Sequence, residues 1–252
     1  EAYGETTVNY NRDVEIFPVL RATMERISGA CPYQSPTDMG VNMAGLAISD
    51  DAVCREAGNN EIVRRYFQTA EEIKRTGVGE AALKKIELLM NQAGINQNLS
   101  PARSAALLKE ETTGGPAGAM VLPDGRVVTG KTGNLLGAAS ALLMNALKGV
   151  SGVDDELYVI SDDVLEPICH LKTAHLRSHN PRLHSDETLL ALSISSVHNP
   201  LAERLIDNVD KLRGCDAYFS VIISAADEKL YRTLGINVCC EPKYEQHRYY
   251  HK

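Results

Sequence analysis

Ala119-Met120-Val121-Leu122-Pro123-Asp124-Gly125-Arg126-Val127-Val128 is the stretch that decides the fold class of this 252-residue chain. Two β-prone runs flank the triplet Pro-Asp-Gly. Proline presets φ, aspartate can bond the backbone two residues on, and glycine tolerates positive φ, so the triplet favours a tight turn. The stretch therefore predicts a β-hairpin, and it marks the point where the pattern of the chain changes.

Before the hairpin, residues 13–111 have the apolar spacing of helices. Apolar residues repeat at helical intervals over 62–73, after Asn59 or Asn60 as the cap, and again over 83–93. Gly94 follows the second repeat and is a suitable stop signal. Ser100 followed by Pro101 is a cap and first-turn pair that predicts the start of a third helix.

After the hairpin, strands and helices alternate. The pattern predicts a helix over 135–148, a strand over 157–160, helical segments in 162–212, a strand over 217–223, a helix over 226–234 and a strand over 236–239. This alternation is typical of an α/β layer sandwich whose sheet is at least partly parallel. The fold class predicted for the whole chain is therefore α+β, a helical subdomain followed by a three-layer α/β subdomain.

The least helical stretch, Thr112-Thr113-Gly114-Gly115-Pro116, is where we place the domain boundary. The helical subdomain then covers 1–112, and the α/β subdomain covers 113–252 with a C-terminal tail. Because the first residue is Glu1 and not Met, we expect the start of the helical subdomain to be truncated or processed.

The composition excludes several classes of protein. A net charge of −7 without clusters of Lys or Arg argues against a nucleic-acid surface. No apolar stretch approaches the roughly 18 residues that a membrane span needs. Six cysteines without a CxxC pair are typical of thiols in a reducing compartment, which predicts a cytoplasmic protein.

The candidate binding site is Gly130-Lys131-Thr132-Gly133-Asn134, between a β-prone run and the predicted helix 135–148. Unpaired amides and the positive end of the helix dipole favour an anion there, and Lys131 adds a full charge. Residues 125–132 literally match the phosphate-loop pattern, but the four intervening residues form a β-prone run, which disfavours a nucleoside-triphosphate loop. The alternative is that the glycines only shape a turn while Lys131 faces water.

Three further polar residues are secondary candidates. Asp38 and Asn42 follow a capping arrangement at Ser35-Pro36 and would share one helix face near two glycines. Asp162 follows the predicted strand 157–160, at the edge where open α/β sheets place ligands. The alternatives are helix packing for the first pair and helix capping for Asp162.

Five potential metal ligands lie close together in the sequence, namely Cys169, His170, His175, His179 and His184. The i, i+4 spacing of His175 and His179 would let two imidazoles face one metal ion. Neither HExxH nor the H-x-E and P-C-x-x-C signature of zinc deaminases is present. We therefore assign no metal ligand, no cofactor and no catalytic nucleophile.

The chain resembles uncharacterised protein family 0371. The resemblance lies in residues 1–13 (EAYGETTVNYNRD), 35–43 (SPTDMGVNM), 61–66 (EIVRRY), 129–132 (TGKT), 164–168 (VLEPI) and 248–252 (RYYHK). It implies a bacterial cytosolic protein, of which this chain is the carboxyl-terminal half, and an α/β subdomain similar to the cytidine-deaminase topology. Where the family has Ser or Thr after Lys131-Thr132, this chain has Gly133.

These observations lead to one functional hypothesis and two alternatives. The hypothesis is that the chain binds a phosphate-bearing small molecule or nucleotide, with Lys131 pairing the charge and the amides of Thr132 and Gly133 donating to it. The alternatives are a non-catalytic homo-oligomeric assembly module and a metal-dependent hydrolase. The missing N-terminal half of the same protein is an expected partner, and whether the protein is an enzyme stays open.

Overall fold

The computed structural model describes residues 10–31 and 51–245. The helices in these ranges are α1 (Tyr10–Ser28), α2 (Asp51–Thr76), α3 (Glu80–Ala93), α4 (Pro101–Thr113), α5 (Ala138–Ser151), α6 (Asp162–His170), α7 (Ser185–Ser196), α8 (Pro200–Asp207) and α9 (Ala225–Thr233). The strands are β1 (Ala117–Val121), β2 (Val127–Lys131), β3 (Asp216–Phe219) and β4 (Asn237–Cys240). The chain is thus a mixed α/β protein.

The four strands form one mixed sheet in the order β2-β1-β3-β4. Strand β1 is antiparallel to both of its neighbours, whereas β3 and β4 are parallel. The hairpin β1–β2 confirms the turn predicted at Pro123-Asp124-Gly125, where the Asp124 carboxylate accepts the Arg126 amide at 3.0 Å. The parallel pair confirms that part of the sheet is parallel.

Helices cover both faces of this sheet. On one face, Gly118 and Gly130 are cross-strand partners, and α5 packs so closely that a Cβ at Gly130 would overlap its backbone. On the other face, Arg103 of α4 forms an ion pair with Glu241 at 2.6 Å, just beyond β4. The largest apolar cluster lies on the α5 face and includes Met120, Leu142 and Phe219.

The chain divides into two compact units. The first unit contains the described residues up to Thr69 together with Gly79–Leu99 and is helical. The second unit contains Ala70–Val78 and the described residues from Ser100 onward. Helix α4 therefore belongs to the same unit as the sheet it packs on, whereas the predicted division after residue 112 would separate them.

Several predicted element boundaries hold and others need correction. Gly94 ends α3 in the left-handed conformation, and Ser100 is the N-cap of α4, as predicted. Helix α2 begins at Asp51, so neither Asn59 nor Asn60 caps it. Residues 157–160 form no strand. They lie in an irregular segment in which Val159 and Ile160 are buried, so the apolar run reflects burial and not a strand.

Candidate functional site

A small cavity lies at the edge of the sheet where β2 and β3 end. Its volume is about 20 Å³. It is lined by Pro116, Thr132, Ala138, Ala139, Val221, Ile222, Ile223, Ser224 and Asp227. This is the edge at which open α/β sheets place ligands.

The predicted glycine-lysine loop lies beside this cavity but is built differently from the prediction. Gly130 and Lys131 belong to β2, and the Lys131 side chain is exposed. The Thr132 amide donates to the Pro116 carbonyl at 2.9 Å, and the Gly133 amide donates to the Leu136 carbonyl at 2.9 Å. The two amides predicted to bind an anion are therefore occupied by the protein's own carbonyls.

A neighbouring segment holds the loop in this conformation. Arg182 donates from Nε to the Gly133 carbonyl at 3.0 Å, and the Leu183 amide donates to the Leu135 carbonyl at 2.8 Å. Leu136 and Leu183 form an isolated parallel bridge. These tertiary contacts extend the loop by three residues, so α5 begins at Ala138 and not at Leu135. Asn134 is exposed within the loop.

The shifted start of α5 brings other amides to the cavity. The first amides of a helix have no acceptor within the helix. Among the described residues, the amides of Ala138 and Ala139 have no hydrogen-bond acceptor, and both residues line the cavity. The Thr132 hydroxyl is also buried without a partner in the described part of the chain. Three residues that each carry a donor without a partner in the described part of the chain thus line one cavity.

A buried charged network borders the cavity at Asp227. Its carboxylate lies 3.0 Å from Nδ1 of His184 and accepts from the Ser224 hydroxyl at 2.6 Å. It also accepts from the amide and the hydroxyl of Ser185 at 2.8 and 2.6 Å. Because His184 and Ser185 begin α7 and Ser224 caps α9, the network ties the starts of two helices together.

The network shifts the pKa of His184 and the pKa of Asp227. The hydrogen bond to Asp227 raises the pKa of His184, and burial opposes this effect without cancelling it. Burial by itself would raise the pKa of Asp227, but the hydrogen bonds from His184, Ser185 and Ser224 hold it below its ordinary value. Both shifts favour the ion pair.

The geometry argues against a serine nucleophile in this network. In a Ser-His-Asp triad, the hydroxyl and the carboxylate meet opposite nitrogens of the imidazole. Here the Ser224 hydroxyl, at 3.3 Å, approaches Nδ1, the nitrogen that also meets Asp227. Ser224 instead accepts the Asp227 amide at 3.1 Å as a helix cap, so its role is structural.

The remaining predicted residues do not join the cavity. Asp162 is exposed in the first turn of α6, which agrees with the alternative of a residue at a helix start. Asp38 and Asn42 lie outside the described residues. Within 10–31 and 51–245, no three His, Cys, Asp or Glu side chains group as a metal ion would require.

Sequence reasoning missed the network of Asp227 and His184. Ser224-x-x-Asp227 has the spacing of a capping box, which could have marked the start of α9. No local signal connects His184 with Asp227, because they are 43 positions apart and meet only through the packing of α7 against α9.

Two further observations concern membrane-spanning helices and disulfide bonds. No helix in the described part of the chain is both long and apolar enough to cross a membrane. The cysteines whose side chains are described form no disulfide with one another; they are Cys31, Cys169, Cys215, Cys239 and Cys240.

Comparison with known proteins identifies the family. Residues 98–250 match the model of the domain of unknown function DUF1846, C-terminal, and residues 1–94 match DUF1846, N-terminal. A UPF0371 protein from Corynebacterium efficiens is 48% identical over 251 residues, which cover 100% of this chain and 51% of that protein. A UPF0371 protein from Streptococcus pneumoniae serotype 19F is 50% identical over 252 residues, with 100% and 51% covered.

The chain thus spans about half the length of these curated relatives. Because it matches the N-terminal as well as the C-terminal domain model, the description of the chain as a carboxyl-terminal half alone needs correction. The chain belongs to the DUF1846 family, whose members carry the name UPF0371.

Proposed function

We propose that the sheet-containing unit binds a phosphate-bearing small molecule at the edge where β2 and β3 end. The observation that carries this proposal is the cavity at the start of α5, where the Ala138 and Ala139 amides meet the buried Thr132 hydroxyl. Helix starts bind phosphate through such amides and the helix dipole. The amides of Thr132 and Gly133, which the sequence suggested, are not part of the proposed site.

The size of the cavity determines how a phosphate group would sit. A space of about 20 Å³ holds one water molecule. We therefore expect one phosphate oxygen to enter the cavity while the rest of the group stays at the surface. Lys131 precedes Thr132 and its side chain is exposed. Because successive strand residues point to opposite faces, we expect its long side chain to reach the outer oxygens around the end of β2.

The Asp227 carboxylate at the cavity does not exclude an anion. Its carboxylate lies 3.0 Å from His184 and accepts three hydrogen bonds, two from Ser185 and one from Ser224. While His184 is protonated, the two residues act on a guest as a nearly neutral pair. Two helix starts, those of α5 and α9, then supply the local field.

Isothermal titration calorimetry with inorganic phosphate, ATP and ribose 5-phosphate tests this proposal. We expect at least one of them to bind, Lys131→Ala to weaken binding about tenfold or more, and Thr132→Val to weaken it about three- to tenfold. Thr129→Val is the matched control, because Thr129 lies on β2 and does not line the cavity. Failure of all three ligands to bind, or equal binding by the parent and both variants, would reject the proposal.

A homo-oligomeric assembly module remains the second candidate. The observation that favours it is an exposed apolar stripe on and just after α7, formed by Leu190, Ile194 and Val197, which are 65%, 59% and 71% exposed. These residues have i, i+4, i+7 spacing and so share one side of the helix. The metal-dependent hydrolase is not proposed, because no described group of ligands supports it.

We also propose that the chain works together with the remaining half of a longer protein, since its relatives are about twice as long. A topology similar to cytidine deaminases is a further proposal. The mixed sheet with helices on both faces supports this topology. A shared topology does not imply a shared reaction. Free thiols support a cytoplasmic location.

A further inference from the structure

A second and much larger cleft lies within the helical unit. Its volume is about 400 Å³, within the range of small-molecule sites. Eight of the described residues, from α2, α3 and the turn after α3, line it: Tyr66, Glu87, Met90, Asn91, Ile95, Asn96, Gln97 and Asn98. Four of the eight carry a carboxamide side chain, which is an unusual concentration of one chemical group.

The end of α3 places these carboxamides around the cleft. Gly94 adopts φ 67°, its amide donates to the Asn91 carbonyl at 3.2 Å, and the Ile95 amide donates to the Met90 carbonyl at 3.0 Å. The chain therefore reverses immediately after the helix. The Gln97 side chain then donates to the Tyr66 hydroxyl at 2.6 Å, which fixes the turn against α2.

The electrostatics of the cleft disfavour an anionic guest. Among the described residues that line it there is no Lys, Arg or His, and Glu87 is the single carboxylate. The last turn of α3 adds the negative end of a helix dipole. An ammonium guest would have only the exposed Glu87 as a formal partner, and solvent screening makes such a pair weak.

The lining fits a neutral guest rich in hydroxyl groups. A carboxamide offers both donors and an acceptor. The Asn96 oxygen already accepts the Asn98 amide at 2.8 Å, and the Gln97 nitrogen already donates to Tyr66. Asn96 can therefore donate to a guest hydroxyl from its nitrogen, and Gln97 can accept from one at its oxygen. Met90, Ile95 and the Tyr66 ring offer apolar surface for the C–H face of a pyranose ring. A saccharide presents both kinds of surface, whereas a phosphate or a purely apolar molecule presents only one.

We propose that this cleft binds a neutral saccharide, held by the carboxamides of Asn91, Asn96 and Gln97. The site lies in a different unit from the phosphate site and is lined by none of the same residues, so it does not depend on the proposed function. Its guest is recognised by hydroxyl groups and needs no charge.

Saturation-transfer NMR and calorimetry on the full chain test the proposal with glucose, galactose, N-acetylglucosamine and maltose. We expect at least one of them to bind and Asn91→Ala to weaken its binding about three- to tenfold, as loss of a neutral hydrogen-bonding group does. Gln92→Ala is the matched control, because Gln92 is an exposed carboxamide on the same helix that does not line the cleft.

The variant should keep its fold, because alanine is a better helix former than asparagine at this exposed position. A thermal unfolding midpoint at or above that of the parent will confirm this. The proposal is overturned if no saccharide binds at millimolar concentration, if Asn91→Ala and the parent bind equally, or if spermidine binds and the saccharides do not.

Discussion

Asp227 is a buried carboxylate that is in contact with three polar residues of the sheet-containing unit. Only 4% of it is exposed, and its charge depends on His184, Ser185 and Ser224 for compensation. Removing one partner from a buried pair leaves the other uncompensated, which typically costs about 3–5 kcal/mol. We therefore expect Asp227→Asn to lower the free energy of unfolding by about 3 kcal/mol near pH 5.5.

The loss of unfolding free energy in Asp227→Asn should depend on pH. The pKa of His184 is raised above 6.5 by folding, so its contribution is complete below that pH and is lost as pH rises through the folded pKa. The pKa of Asp227 is lowered below 3.8, so its contribution is lost only in stronger acid. Urea unfolding should therefore show a larger difference between parent and variant at pH 5.5 than at pH 8.5. The exposed Asp210→Asn serves as control, and an equal difference at both pH values would contradict the ion pair.

At the scale of elements, Gly130 sets how closely α5 approaches the sheet. A Cβ at this position would lie 2.7 Å from the Ala141 carbonyl carbon and would overlap the backbone of Leu142. Because backbone atoms cannot move aside as a flexible side chain does, the whole helix would have to shift. We expect Gly130→Ala to lower the free energy of unfolding by about 1–3 kcal/mol in chemical denaturation.

Gly115→Ala is the control for this substitution. Nothing lies within 4 Å of a Cβ at Gly115. The reduced freedom of the unfolded chain should leave this control unchanged or more stable by up to about 1 kcal/mol. Unfolding of the two variants at the same denaturant concentration would contradict the close packing of α5 on β2.

At the scale of the whole molecule, α4 belongs with the sheet. It contacts β1, β2 and β3, and the ion pair of Arg103 with Glu241 is only 14% and 16% exposed. A fragment 113–252 lacks this helix. One face of the sheet is then exposed, and the Glu241 carboxylate loses its partner Arg103. We expect this fragment to show no cooperative thermal unfolding.

A fragment 70–252 is the matched comparison. It retains α4 and the last turns of α2, where Arg75 reaches Glu228 at 3.3 Å within the same unit. We expect it to unfold cooperatively by circular dichroism and to show dispersed amide signals in NMR spectra. Cooperative unfolding of 113–252 with the same dispersion would restore the boundary predicted from the sequence.

The sequence by itself determined what local interactions decide. The turn at Pro123-Asp124-Gly125, the stop at Gly94 and the start at Ser100-Pro101 depend on residues within a few positions of each other, and all three are present. The alternation of strands and helices after the hairpin likewise predicted an α/β unit with a partly parallel sheet.

Only the tertiary structure decided the start of α5, the close approach at Gly130 and the pairing of His184 with Asp227. The 182–183 segment binds the loop before α5 and delays the helix to Ala138, so the amides at the cavity differ from those that the glycine-lysine motif indicated. The contacts of the loop and of the charged pair join residues more than 40 positions apart, as in the 49 positions between Gly133 and Arg182 and the 43 between His184 and Asp227. The spacing of residues along the sequence does not indicate such contacts. Packing and the hydrogen bonding of buried polar groups are decided only when the distant segments meet.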